Sequence, residues 1–158
     1  MDSSGGEGPR ESWWGGFPKG LEVCSRNALV EVGSILPVSG RLWVARLDGM
    51  KMADPDHAFY EFSDSLLFPA YFGGNWDALS DCLRDLSWLA ADGYLILVEN
   101  VSQLLSGNLG DRRILFQILS RAVRHWASYL GDAPAGLKVL LLCDDEEQVR
   151  LLKHEIAA

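Results

Sequence analysis

Two solid apolar runs, Tyr94 to Val98 and Leu137 to Leu142, constrain this chain more than any other feature. Neither alternates apolar with polar residues, so each reads as a strand buried on both faces. Such strands belong to parallel sheets, whose neighbours must be joined by long crossovers. The residues between these two supply one. Gly107 to Gly110 reads as a loop, and Arg112 to Leu130 as a long helix. Leu42 to Leu47 adds a third strand, bounded by a turn at Asp48-Gly49.

Two shorter helices precede Tyr94. Asp54 is a natural N-cap and Pro55 suits the first helical position, introducing a helix over His57 to Ser65 that ends before Phe68-Pro69. The glycine turn Tyr71-Phe72-Gly73-Gly74 then delivers Asn75, the N-cap of a helix from Trp76 to about Leu86. Asp77 falls in its first turn, where a carboxylate suits the helix dipole. At helical spacing Trp76, Ala78, Leu79, Cys82, Leu83 and Leu86 share one side, with Asp77, Ser80, Asp81, Arg84 and Asp85 on the other. Glu146 to Ile156 reads as a last amphipathic helix. The expected fold is therefore α/β, a small three-stranded parallel sheet packed against helices through right-handed crossovers.

This core spans residues 41–143. Residues 144–158 form a C-terminal helical segment, and residues 1–40 an N-terminal extension. In that extension residues 1–12 read as a frayed tail, and Ala28 to Val32 has the alternation of a short strand or hairpin. Trp13 and Trp14 lie among glycines, and their spacing suits either a covered core edge or a contact surface.

A chain of 158 residues with 48% hydrophobic residues is large enough for one packed domain, which argues against wholesale disorder. Its formal net charge of -8 argues against a general nucleic-acid binder, because phosphate contacts need concentrated Lys and Arg. Cys24, Cys82 and Cys143 are too few and too scattered for a disulfide scaffold. Neither a signal-peptide pattern nor a long apolar span is present, so a cytoplasmic protein without membrane contact is expected. His57, His125 and His154 share no metal-ligand spacing, and the common nucleotide, zinc and nucleophile motifs are missing. No cofactor or metal is expected.

The acidic residues ask for an explanation. Asp77, Asp81 and Asp85 recur every fourth position, a repulsive pattern that Arg84 relieves only in part. From residue 71 to 100, Asp77, Asp81, Asp85, Asp92 and Glu99 oppose Arg84, net -4. From 101 to 130, Asp111 opposes Arg112, Arg113, Arg121 and Arg124, net +3. An acidic helix beside an aromatic turn has the chemistry of a contact surface for a cationic partner. A solvated face is the plainer reading. A pair of carboxylates one turn apart also fits acid/base or Mg²⁺ chemistry, but that spacing is common.

The run Tyr71-Phe72-Gly73-Gly74-Asn75-Trp76-Asp77-Ala78-Leu79-Ser80-Asp81-Cys82-Leu83 resembles the signature of the barstar family, intracellular inhibitors of barnase-type ribonucleases. The likeness extends over roughly residues 41 to 143. It implies a non-catalytic, one-to-one inhibitor of a basic extracellular-type or toxin ribonuclease, of the immunity or antitoxin kind. Its acidic helix and preceding loop would fill the enzyme's active site in place of RNA phosphates. The family's two essential aspartates fall on Asp77 and Asp81, its loop tyrosine on Tyr71, its loop glycine on Gly73, and its helix-opening asparagine on Asn75. Phe72, Ser80, Arg84 and Asp85 complete the expected partner-binding surface. Two departures stand out. Ser80 replaces the family's aromatic residue before the second aspartate, and the helix expected at 112–130 has no acid where the family offers a glutamate. The alternatives are a barstar-like module binding a non-nuclease basic partner, and a divergent enzyme using Asp77 and Asp81.

Overall fold

The computed structural model describes residues 22–26, 41–128 and 136–157. Ala28 to Val32, Trp13 and Trp14 lie outside the described residues. The sheet has four parallel strands, not three: β1 (Glu22–Ser25), β2 (Leu42–Asp48), β3 (Gly93–Glu99) and β4 (Leu137–Cys143), in the order β1-β4-β3-β2. The extra strand is β1, which lies against β4 from Glu22 opposite Leu140 to Ser25 opposite Cys143. Four residues carrying a glutamate and a serine show no usable periodicity, and the partner strand lies more than a hundred residues away. Sequence pattern alone therefore misses it.

Among the described residues four helices accompany the sheet: α1 (Pro55–Ser65), α2 (Trp76–Leu83), α3 (Leu109–Ala127) and α4 (Glu146–Ala157). Asp54 caps α1 by accepting from the His57 N–H at 2.9 Å, with Pro55 at its start. The expected loop at Gly107 to Gly110 is shorter than read. Asn108 caps α3, accepting from the Asp111 N–H at 3.2 Å, so Leu109 and Gly110 are already helical. Helix α2 ends at Leu83 rather than near Leu86. Leu86 takes a left-handed φ of 53° and is fully buried, which turns the chain inward instead of prolonging the helix.

The registered strands sort their side chains by face. Ala45, Leu47, Ile96, Val98, Val139 and Leu141 join the buried residues of all four helices in one core. Leu95, Leu97, Leu140 and Leu142 form a smaller buried cluster from the other face of the sheet. All seven positions of β3 except Glu99 are buried, as a central parallel strand requires. Helix α4 packs on β1 and β4 and adds Val149 and Leu152 to the core.

One member of the basic helix proves to be interior. Arg112 is 6% exposed; its Nε donates to Glu155 Oε2 of α4 at 2.7 Å, and its Nη1 to the Val101 carbonyl at 2.8 Å. Its guanidinium lies 5.0 Å from the Phe116 ring centroid. A buried guanidinium with this many acceptors satisfies its donors internally. Arg112 thus pairs with a carboxylate of α4.

Candidate functional site

The residues expected to make up the contact surface lie where the loop after α1 meets α2. Its foundation is aromatic. Phe68 packs edge-on against Phe72 at 4.9 Å between centroids, Phe59 against Trp76 at 4.7 Å, and Phe68 against Trp88 at 5.8 Å. Trp88 Nε1 donates to the Leu66 carbonyl at 2.9 Å, and the Phe72 N–H to the Pro69 carbonyl at 3.0 Å. Phe72 is therefore an anchor, half-buried beneath the loop. Its neighbour Tyr71 points the other way and is 73% exposed.

The loop then turns through Gly73 and Gly74. Gly74 sits at φ 66°, a conformation glycine adopts without penalty. Asn75 closes the turn: its side-chain oxygen accepts from the Ala78 N–H at 2.8 Å, capping α2. Leu79, Cys82 and Leu83 face the core, while Asp77, Asp81, Arg84 and Asp85 are exposed and Ser80 is half-buried. Asp81 is paired with Arg84 at 2.9 Å along the helix, and the Arg84 Nε also reaches the Ser80 carbonyl at 3.3 Å. Asp85 accepts from the Ser87 N–H at 3.3 Å just beyond the helix end.

An exposed ion pair of this kind contributes little to stability. Cys82, on the inner side, has its thiol pKa raised by burial first and by Asp81 and Asp85 second. It is therefore held as a neutral thiol, and the outer face carries the charge.

Two contacts that local pattern reading misses fix α2 in place. Trp76 Nε1 donates to Asp111 Oδ1 of α3 at 3.3 Å, at the front of the acidic helix. Trp126 Nε1, from the far end of α3, donates to the Leu83 carbonyl at 2.8 Å, at its back. These partners are 35 and 43 residues apart in sequence, so no spacing signal could have revealed them. The result is an eight-residue helix held at both ends with its carboxylates turned outward.

Among the described residues no group of three or more His, Cys, Asp or Glu is arranged to hold a metal ion. His57 bonds Asp54 at 2.8 Å, and that partner raises its pKa. Comparison with known proteins bears on the same stretch. The family model described as Barstar (barnase inhibitor) matches residues 42–141, more than half of the chain. No curated protein matches it.

Proposed function

The chain belongs to the barstar family, and on that premise we propose that it is a one-to-one inhibitor of a barnase-like ribonuclease, acting in the cytoplasm as an immunity or antitoxin protein. The family's role is inhibition of a ribonuclease rather than catalysis. The observation that carries the finer reading is the exposure of Asp77 and Asp81 on one short, fixed helix, with Tyr71 exposed on the loop that leads into it.

A ribonuclease must gather cations to bind and cleave a polyanion. Carboxylates offered in a rigid, correctly spaced array compete for those cations without presenting a bond to cleave. Rigidity matters here because a prepaid geometry lowers the cost of ordering on association. Opposite fields also speed encounter, so this inhibitor associates fast at low salt and more slowly as salt rises. Tyr71 supplies apolar area at the edge of the charged contact, where an aromatic side chain excludes water from the ion pairs. Arg84, bound to Asp81 in the free protein, is displaced when the enzyme's own cations arrive.

Inhibition of a purified barnase-type ribonuclease by the native chain, and by Asp81→Ala, tests this. The substitution should weaken inhibition by at least about a hundredfold, in line with several kcal/mol for close interfacial charge pairs. Its circular dichroism spectrum and unfolding midpoint should remain native, since among the described residues the side chain of Asp81 is exposed and pairs with the exposed Arg84. Equal inhibition by the native chain and the variant would remove this face from the mechanism.

A further inference from the structure

Away from the acidic helix, a groove of about 520 Å³ runs between α3 and α4. Arg113, Arg121 and Arg124 line it, all exposed and none in an ion pair among the described residues. The one carboxylate at its edge, Glu155, is already engaged by the buried Arg112. Among the described residues, the groove is thus a concave surface whose three exposed arginines meet no free carboxylate, on a protein that is acidic overall. Its lining is also partly apolar. Phe116 and Ile156 contribute to it, and Leu109 stands at its edge 67% exposed.

We propose that this groove docks an acidic protein segment that carries an apolar side chain, presented by the partner beside its own basic site. This deepens the inhibitor reading and rests on it: the partner would be bipolar rather than uniformly basic. Three observations support a protein segment. Guanidinium groups pair best with carboxylates or phosphates in planar, bidentate fashion, so the ligand is anionic. The exposed Leu109 and the half-buried Ile156 add apolar area that a bare phosphate chain leaves unmatched and that suits an aliphatic or aromatic anchor. The net charge of -8 opposes a long nucleic acid, whose charge extends well beyond the groove. The arginines also discriminate, because a basic surface approaching this groove would meet repulsion.

The test is fluorescence anisotropy with a short labelled peptide of alternating Asp and Glu interrupted by Leu and Phe. Controls are the same peptide with Asn and Gln in place of its acids, and a labelled single-stranded oligoribonucleotide. The acidic peptide should bind the full chain, more weakly at high salt, and lose at least about tenfold in affinity in the triple variant Arg113→Gln, Arg121→Gln, Arg124→Gln. These side chains are exposed, so the variant should keep the native unfolding midpoint. The double variant Asp77→Asn, Asp81→Asn should bind the peptide normally while losing ribonuclease inhibition, which separates this groove from the inhibitory face. The proposal fails if the neutral peptide binds as well as the acidic one, if the triple variant keeps full affinity, or if the oligoribonucleotide is the tighter ligand.

Discussion

Gly49 shows what a single position can demand. A Cβ built there would stand 2.2 Å from the Asn100 carbonyl oxygen and 2.9 Å from its carbon, both backbone atoms that cannot swing away. Asn100 is itself committed, at φ 51° with its amide donating to Asp48 Oδ1 at 2.8 Å. That bond, followed by the Met50 N–H, lowers the Asp48 pKa. The carboxylate's contribution is therefore complete above the ordinary aspartate range and is lost as pH falls through the lowered folded value. Gly49→Ala should cost at least about 1–3 kcal/mol, read as a lower urea midpoint with unchanged slope. An unshifted midpoint would mean that the ends of β2 and β3 separate freely. The sequence marks Asp48-Gly49 as a turn, but the neighbour that forbids a side chain arrives from residue 100 and leaves no local sign. Arg112 teaches the same lesson, since counting it among surface cations overlooks an acceptor 43 residues on.

At the scale of an element, α2 is the instructive case. Eight residues are too few to hold a helix in water, because nucleation is costly and only a few bonds repay it. What local chemistry supplies is legible: the Asn75 cap, Asp77 in the first turn and a continuous apolar side all stand in the sequence. What tertiary structure supplies is not, namely the indole bonds from Trp76 to Asp111 and from Trp126 to Leu83. The cap and these pins act together, so losing one should loosen the whole presenting surface. Asn75→Ala should lower stability by about 1 kcal/mol. Hydrogen exchange at the Ala78 and Leu79 amides should accelerate by more than that global loss alone explains. Asn75→Asp, which restores an acceptor, should recover both. If Asn75→Ala left exchange at these amides unchanged, the cap would have no part in fixing the acidic helix. The apolar spacing runs past the true end of α2 because Leu86 continues it, while its left-handed backbone already belongs to the next turn.

The whole molecule is wider than its family match. That match ends at residues 42 and 141, yet β1 and α4 lie outside it and pack on each other and on β4. β1 covers the edge that β4 would otherwise present, and Arg26 at its end pairs with Asp144 at 3.4 Å. That pair is exposed and contributes little. Apolar burial matters more: Val23, Val149 and Leu152 each lie within the core, and α4 provides the carboxylate for buried Arg112. A chain cut to residues 41–143 would keep the acidic helix and its loop while exposing an apolar β4 edge. It would also leave Arg112 without Glu155, a loss of about 1.5–3 kcal/mol for a bond to a charged group. Core residues removed with α4 and β1 add further losses of about 2 kcal/mol or more each. We therefore propose residues 22–157 as the folding unit. Equilibrium urea unfolding of the full and shortened chains, with light scattering of each, tests the boundary. The shortened chain should lose most of its stability or self-associate through β4. A shortened chain that is monomeric and unfolds at the full-length midpoint would show that the family core stands alone, with β1 and α4 as additions that its stability does not need.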